Sequence, residues 1–339
     1  MDLADAASVP LACLRSVTRM AMTLGLFHEP GRGSEFISHS SLSVAFAIDV
    51  ALRDLANFIV NYGAPSAACL TQATKTWGAS MAKNQTAYNI FAGTTLPFFD
   101  HVKQQPGMAE IFSRYMESQG RSEGARLGHL LDGFNWTQLG DTAHLVDVGG
   151  SKGFVSVVLA NAYPGFTFTI QDLPEVISSP HSRQAGLSTT ISPRFRFVGH
   201  DFFKPQPPLP QGVPTPGAYL LRKILHDWPT EHARHILSQL ASAIENGGNP
   251  DARIIVMDTI LPPPGTVGRV QEANMRVRDL TMLQNFNSKE RELEEWRNLF
   301  ESAVPKLELL GWKQPPGSVM AVMEVGLVHG GRSSRCVTP

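Results

Sequence analysis

The spacing of apolar residues changes near residue 142. Before that point they recur at helical intervals. Val44, Ile48, Leu52, Leu55 and Ile59 share one face of a helix predicted over 43–62. Met108, Ile111, Phe112, Tyr115 and Met116 do the same over 108–116. Gly31-Arg32-Gly33 ahead of Glu35-Phe36-Ile37 reads as a turn into a short strand. Beyond 142, short apolar runs alternate with helical stretches. His144–Val148 ends in glycines, as a strand buried on both faces should. A helix is predicted over 154–162, strands over 166–170, 195–198 and 218–225, a helix over 231–245 and a strand over 253–257. The late apolar run 318–325 is expected at a sheet edge. Strands alternating with helices predict βαβ units and a mostly parallel sheet, an α/β class.

The pattern divides the chain into a mostly helical N-terminal domain, 1–141, an α/β domain, 142–328, and a tail, 329–339, expected to be disordered. The Pro- and Gly-rich stretch 204–217 has strands close on both sides and reads as a surface loop of polyproline character. With 339 residues, 42% of them hydrophobic, the chain can bury a large core. Charged residues are 17% and the formal net charge is -1, which gives neither nucleic acid nor an anionic membrane a reason to bind. Cys13, Cys69 and Cys336 stand far apart with no CxxC pair, which argues against a disulfide framework or a metal site and fits a reducing, cytoplasmic setting. No run of eighteen or more apolar residues suggests a membrane span.

Candidate chemistry gathers where strands end. Asp147-Val148-Gly149-Gly150-Ser151-Lys152-Gly153 stands where the first strand turns into a helix, and glycines there let the backbone approach a ligand closely. Asp172 closes the second strand in Gln171-Asp172-Leu173-Pro174, where an acid can accept hydrogen bonds from both ribose hydroxyls. Asp201 follows the third strand, placed to accept from an adenine amino group with Phe202 packed on the ring. Any one of these acids could be a helix cap or turn residue. Their order after successive strands predicts that Asp147, the glycine turn, Asp172 and Asp201 face one crevice at the carboxyl edge of the sheet.

The series DVGGSKG, QDLP, HDFF, LLRKILHDWP, MDTILPPPG, DLTMLQNFNSKERELEEW and PPGSVMAVMEV resembles the class I S-adenosylmethionine-dependent O-methyltransferases, in particular fungal secondary-metabolite members similar to the plant caffeate and flavonoid type. The resemblance runs from about residue 10 to residue 328, and LRKILHDW is its most specific part. It implies a doubly wound, mostly parallel seven-stranded sheet of Rossmann-like methyltransferase type, S-adenosylmethionine as cofactor, and Gly149, Gly150, Asp172, Leu173, Asp201, Phe202 and Arg222 around that cofactor. Ser151 replaces the middle glycine of the family's turn.

Methyl transfer from a sulfonium has a neutral leaving group. It needs alignment and an oxygen nucleophile relieved of its proton. A phenol has a pKa of about 10 and an imidazole about 6.5, so a histidine within reach can assist. By position in the HDW motif His226 resembles the family's general base, with Asp258 and Glu290 as the acids that flank it; Asp227 reads as structural. His226 as a core histidine and Glu290 as a helix-start acid are the plainer alternatives. Lys223 either snorkels to solvent or projects toward the substrate cavity.

Phe112 and Met116 share a helix face and resemble positions that clamp an aromatic acceptor, with Met282, Phe286 and Asn287 completing the wall; as plain core residues they would need no ligand. The resemblance implies a small-molecule acceptor bearing a hydroxyl. It also implies a winged-helix-like unit, of which 11–26 resembles the last helix and Phe36-Ile37 the wing, and a homodimer whose N-terminal intertwining segment has no counterpart here, leaving apolar helices exposed. Two other functions stay open at this level: a non-methylating catalyst of dehydration or pericyclic ring formation on the same fold, and an inactive truncated homologue.

Overall fold

A computed structural model describes residues 3–31, 33–178 and 187–328. The expected disordered tail lies outside the described residues. The chain forms two compact units: Met1–Gly63 with Gln105–Gln119, and Ala64–Gln104 with Gly120–Pro339. The division expected at 142 therefore falls inside the second unit. Residues 64–104 and 120–141 supply short helices to the α/β unit, so a change of pattern at 142 marks the first strand and not a boundary.

The first unit is helical. Helix α1 (Leu11–Thr23) precedes a two-residue antiparallel pair, Phe27–His28 with Ser38–His39. The strand thus lies just after the predicted Phe36-Ile37, and a pair this short does not establish a winged-helix remnant. Leu11, Val17 and Met20 of α1 are exposed. The single helix predicted over 43–62 is two, α2 (Ser41–Ile48) and α3 (Val50–Phe58). Asp49 breaks it: its side chain accepts from the backbone N–H of Ala51 and Leu52, capping α3 and ending α2 in extended backbone. Helix α4 (Pro106–Arg121) closes the unit.

The second unit is built on a seven-stranded sheet. Its strands are β1 (His144–Val148), β2 (Thr167–Asp172), β3 (Phe195–Gly199), β4 (Ala218–Arg222), β5 (Arg253–Asp258), β6 (Leu307–Lys313) and β7 (Ala321–Leu327). Their spatial order is β6-β7-β5-β4-β1-β2-β3, parallel from β5 to β3 and antiparallel at β7 and β6. The apolar run expected at the edge is β7, one strand in; β6 covers it. Alternation along the strands serves two cores. Val146, Leu221 and Ile254 face α6 (Thr230–Asn246) and α8 (Leu293–Glu301), while Leu145, Leu220 and Ile255 face α5 (Phe154–Ala162) and Trp136. Helix α7 (Arg269–Phe286) lies between α6 and α8 in the chain.

The parallel strands end together, and the reversal of strand order between β1 and β4 opens a crevice at their carboxyl ends. The strand predicted to reach Leu225 stops at Arg222. Lys223 takes a left-handed φ of 55° and its N–H turns to Met257 O, so His226 sits in a tight turn, Leu225–Asp227, and not on a strand. Among the described residues no helix is long and apolar enough to cross a membrane.

Candidate active site

The turn after β1 is held from beneath. Asp147 is buried, accepts a 2.7 Å hydrogen bond from Ser156 Oγ, and lies under Gly150, where a Cβ would come within 2.5 Å of its carboxyl carbon. Burial raises its pKa to about 6. Asp147 therefore braces the turn; contrary to expectation, it does not face the crevice with Asp172 and Asp201. Gly149 has a φ of 70°, and a Cβ there would stand 2.6 Å from Ile224 Cδ1 and 3.7 Å from Phe202 Cε1. This contact ties the glycine turn to the residue two before His226. Ser151 fits the glycine position by adopting a φ of 50° itself.

Asp172 Oδ2 accepts from Ser151 N at 2.9 Å and Oδ1 from Leu173 N at 2.8 Å. Each oxygen keeps a lone pair for a further donor. Asp201, at the next strand end, spends Oδ1 on Phe203 N at 3.0 Å. Phe202 meets Trp228 edge-on at 5.6 Å. Two carboxylates with spare acceptor sites, an aromatic ring and a glycine-rich turn fit a nucleoside with adjacent hydroxyls. Arg222 Nη2 donates to Ala125 O at 2.7 Å, so its guanidinium is partly committed to the protein itself. A separate cavity of about 350 Å³ under the loop 204–217 contains none of the predicted site residues.

His226, Asp258 and Glu290 come together although they are far apart in the chain. His226 Nδ1 donates to Glu290 Oε1 at 3.0 Å and lies 3.3 Å from Asp258 Oδ1, while Nε2 stands 3.5 Å from Asp227 Oδ1. His226 is 8% exposed and the two clamping acids 1% each. A carboxylate accepts, so Nδ1 carries the hydrogen shared with Glu290. Burial would depress the histidine, but the charges of Asp258, Glu290 and Asp227 outweigh it and raise the pKa to about 10. Burial and the neighbouring Glu290 charge push Asp258 up. Glu290 is held below the usual range by His226, against its own burial. Burial lifts Asp227 to about 6.

The same three side chains offer ligand atoms within 4.8 Å of one another, a spacing open to a metal ion. Nδ1 already donates to Glu290 and lies 3.3 Å from Asp258, however, and Arg278 and Arg291 act as positive charges on these acids. Asp258 Oδ2 and Glu290 Oε2 are buried without a hydrogen-bond partner among the described residues, so each acid keeps an acceptor site.

Sequence reasoning missed Arg291. It is 1% exposed, and its Nη1 and Nη2 donate to Leu225 O and Trp228 O, both at 2.9 Å, pinning the turn that carries His226. Asp279 accepts from Glu290 N at 3.0 Å and fixes that residue in turn. An arginine beside an acid in Ser288-Lys289-Glu290-Arg291 looks like a surface residue in sequence, and no local signal separates the two.

Of the predicted acceptor wall, Met282 and Phe286 are buried, and Phe286 stacks on Phe99 at 5.2 Å. Asn287 does other work: it caps α7 with a left-handed φ and donates to Ala82 O and Gln85 O. Phe112 and Met116 belong to the first unit, where Phe112 packs on Phe58 at 5.6 Å and Met116 is exposed. Lys223 does not extend to solvent on a strand. Burial, helped by Arg222 and Arg278, lowers its pKa to about 8, with Asp258 and Glu290 opposing.

An O-methyltransferase domain model matches residues 76–304. The chain belongs to the O-methyltransferase family. It is 45% identical over 327 residues to the O-methyltransferase pgmB of Aspergillus terreus (strain NIH 2624 / FGSC A1156), covering 96% of this chain and 89% of that protein. It is 42% identical to the O-methyltransferase fsr2 of Gibberella fujikuroi, covering 96% and 81%. Among solved structures it resembles the O-methyltransferase NcsB1 from neocarzinostatin biosynthesis, in complex with S-adenosylmethionine and 2-hydroxy-5-methyl naphthoic acid. The TM-score is 0.72 and the identity 25%, covering 96% of this chain and 88% of that one. As a member of this family the chain uses S-adenosylmethionine.

Proposed function

We propose that this O-methyltransferase methylates a hydroxyl of a small aromatic or polyketide-type metabolite, with His226 governing the hydroxyl's proton. The observation that carries the reading is the clamp: Glu290 and Asp258 engage Nδ1 at 3.0 and 3.3 Å, which leaves Nε2 as the atom an acceptor can approach. The bound cofactor supplies an electrophilic methyl group on a sulfonium. Asp172 and Leu173 would hold its ribose, Asp201 and Phe202 its base, and Gly149 and Gly150 its amino-acid end, with Arg222 nearby.

With a pKa near 10, His226 rests as an imidazolium at neutral pH. The reactive pair is then a phenolate facing an Nε2–H donor, the same pair that proton transfer from a phenol to a neutral imidazole would produce. The acceptor's proton leaves as it binds. Asp227, beside Nε2 and with its pKa near 6, is a suitable relay. Acceptors with more acidic phenols should therefore react best.

Transfer from methyl-labelled S-adenosylmethionine to a panel of phenols tests the reading. His226→Ala is expected to lower kcat/KM by about 10²- to 10⁴-fold while S-adenosylhomocysteine affinity stays within about threefold. Wild-type turnover by this variant would overturn it.

A further inference from the structure

We propose that Lys83 is a specificity-determining residue of the acceptor site: its ammonium binds a carboxylate or carbonyl oxygen that the aromatic acceptor carries beside its reacting hydroxyl. The inference rests on the reading of His226 above and goes on to name the acceptor class.

Asp258 and Glu290 occupy Nδ1, so an acceptor must come to the Nε2 side, where Asp227 stands. Lys83 is near that side: its Nζ lies 3.2 Å from the ring centroid of Trp228, the residue that follows Asp227, and Asp227 is also the carboxylate acting on it most strongly. Lys223 is felt instead by Asp258 and Glu290 and so neighbours the clamp.

Lys83 is held in place. It lies in the segment between the helices Leu70–Trp77 and Ala87–Ala92, and Asn287 Nδ2 donates to Ala82 O at 2.7 Å and to Gln85 O at 3.1 Å, on either side of it. Lys83 Nζ lies 3.2 Å from the Trp228 ring centroid and 5.8 Å from that of Phe99, whose ring stacks on Phe286. Nζ makes no hydrogen bond or ion pair with any described residue. Burial accordingly depresses it to about 8.

A lysine that is largely removed from water, set against aromatic faces and without an anion in contact is poised for an anionic or strongly polar ligand. The aromatic surfaces suit a flat ring, and the ammonium distinguishes one ring from another. A hydroxyaryl carboxylate pairs with it, whereas a plain phenol must leave it unpaired. An oxygen beside the hydroxyl is what the arrangement favours, since Lys83 lies on the ring of Trp228, which follows Asp227, and Asp227 stands 3.5 Å from Nε2.

The test uses the full chain with S-adenosylhomocysteine present and two matched probes, 3-hydroxy-2-naphthoate and 2-naphthol, in calorimetric titrations. The wild type is expected to bind the acid at least about tenfold more tightly than the naphthol. Lys83→Met should weaken the acid by roughly ten- to a hundredfold and leave the naphthol within about twofold. Lys83→Arg should restore most of the preference, which a merely structural ring contact would not do. Equal weakening of both probes in Lys83→Met, or no preference in the wild type, overturns the proposal. Methyl transfer to the same pair separates the two readings. A Lys83-dependent preference without transfer upholds Lys83 and sinks the transfer reading; transfer to both without preference does the reverse.

Discussion

Replacing Glu290 with glutamine keeps the shape of the side chain that lies 3.0 Å from His226 Nδ1 and removes its charge. With charge centres roughly 4 Å apart and an effective dielectric of about 20, that carboxylate contributes about 4 kcal/mol to holding the imidazolium, or about 3 pH units. The wild-type histidine, raised to about 10 by its three carboxylates against burial, should therefore titrate about 3 pH units lower in Glu290→Gln. The shift has a counterpart in stability. A group whose pKa is raised on folding stabilises fully below its unfolded value, about 6.5, and the benefit fades as pH climbs through the folded value. The wild type should lose stability from His226 between pH 6.5 and about 10, and Glu290→Gln should lose far less over that window. Imidazole NMR titration and urea unfolding across pH read the two effects. A wild-type midpoint near 6.5, or one that the substitution leaves in place, would refute the reasoning.

Two further outcomes follow from the packing. Arg291→Met strands the carbonyls of Leu225 and Trp228 and removes positive charge from beside Asp258 and Glu290, so urea unfolding should show a loss of about 3–5 kcal/mol, with Arg291→Lys losing less. Asp172→Ala removes both acceptors at the end of β2 and frees Ser151 N, so calorimetry should show S-adenosylhomocysteine binding weakened at least about tenfold with little change in melting temperature.

What the sequence made legible was local or periodic. β1 and α5 have the predicted limits, because an apolar run, a glycine turn and an apolar helix follow one another without interruption. The strand-end positions of Asp172 and Asp201 followed from counting strands. The break at Asp49 was hidden, since an acid on a helix face looks solvated until its carboxylate is seen capping the next helix. β6 was missed because only Leu307 is fully buried and its polar residues blur the alternation. That strand in turn displaced β7 from the edge. Arg291, Asp227 and Lys83 acquire their roles from partners brought by the fold, and a buried charged side chain carries no mark of its burial in the chain. The acids around His226 were found through a motif; their joint hold on one ring nitrogen was not.

The most direct test is a crystal structure with S-adenosylhomocysteine and a bound hydroxyaryl acceptor. The acceptor's hydroxyl oxygen is expected within about 3 Å of His226 Nε2, with Nδ1 still on Glu290 and beside Asp258 and the ribose hydroxyls on Asp172. An acceptor oxygen away from Nε2, or a nucleoside bound elsewhere than the ends of β1, β2 and β3, would contradict this expectation.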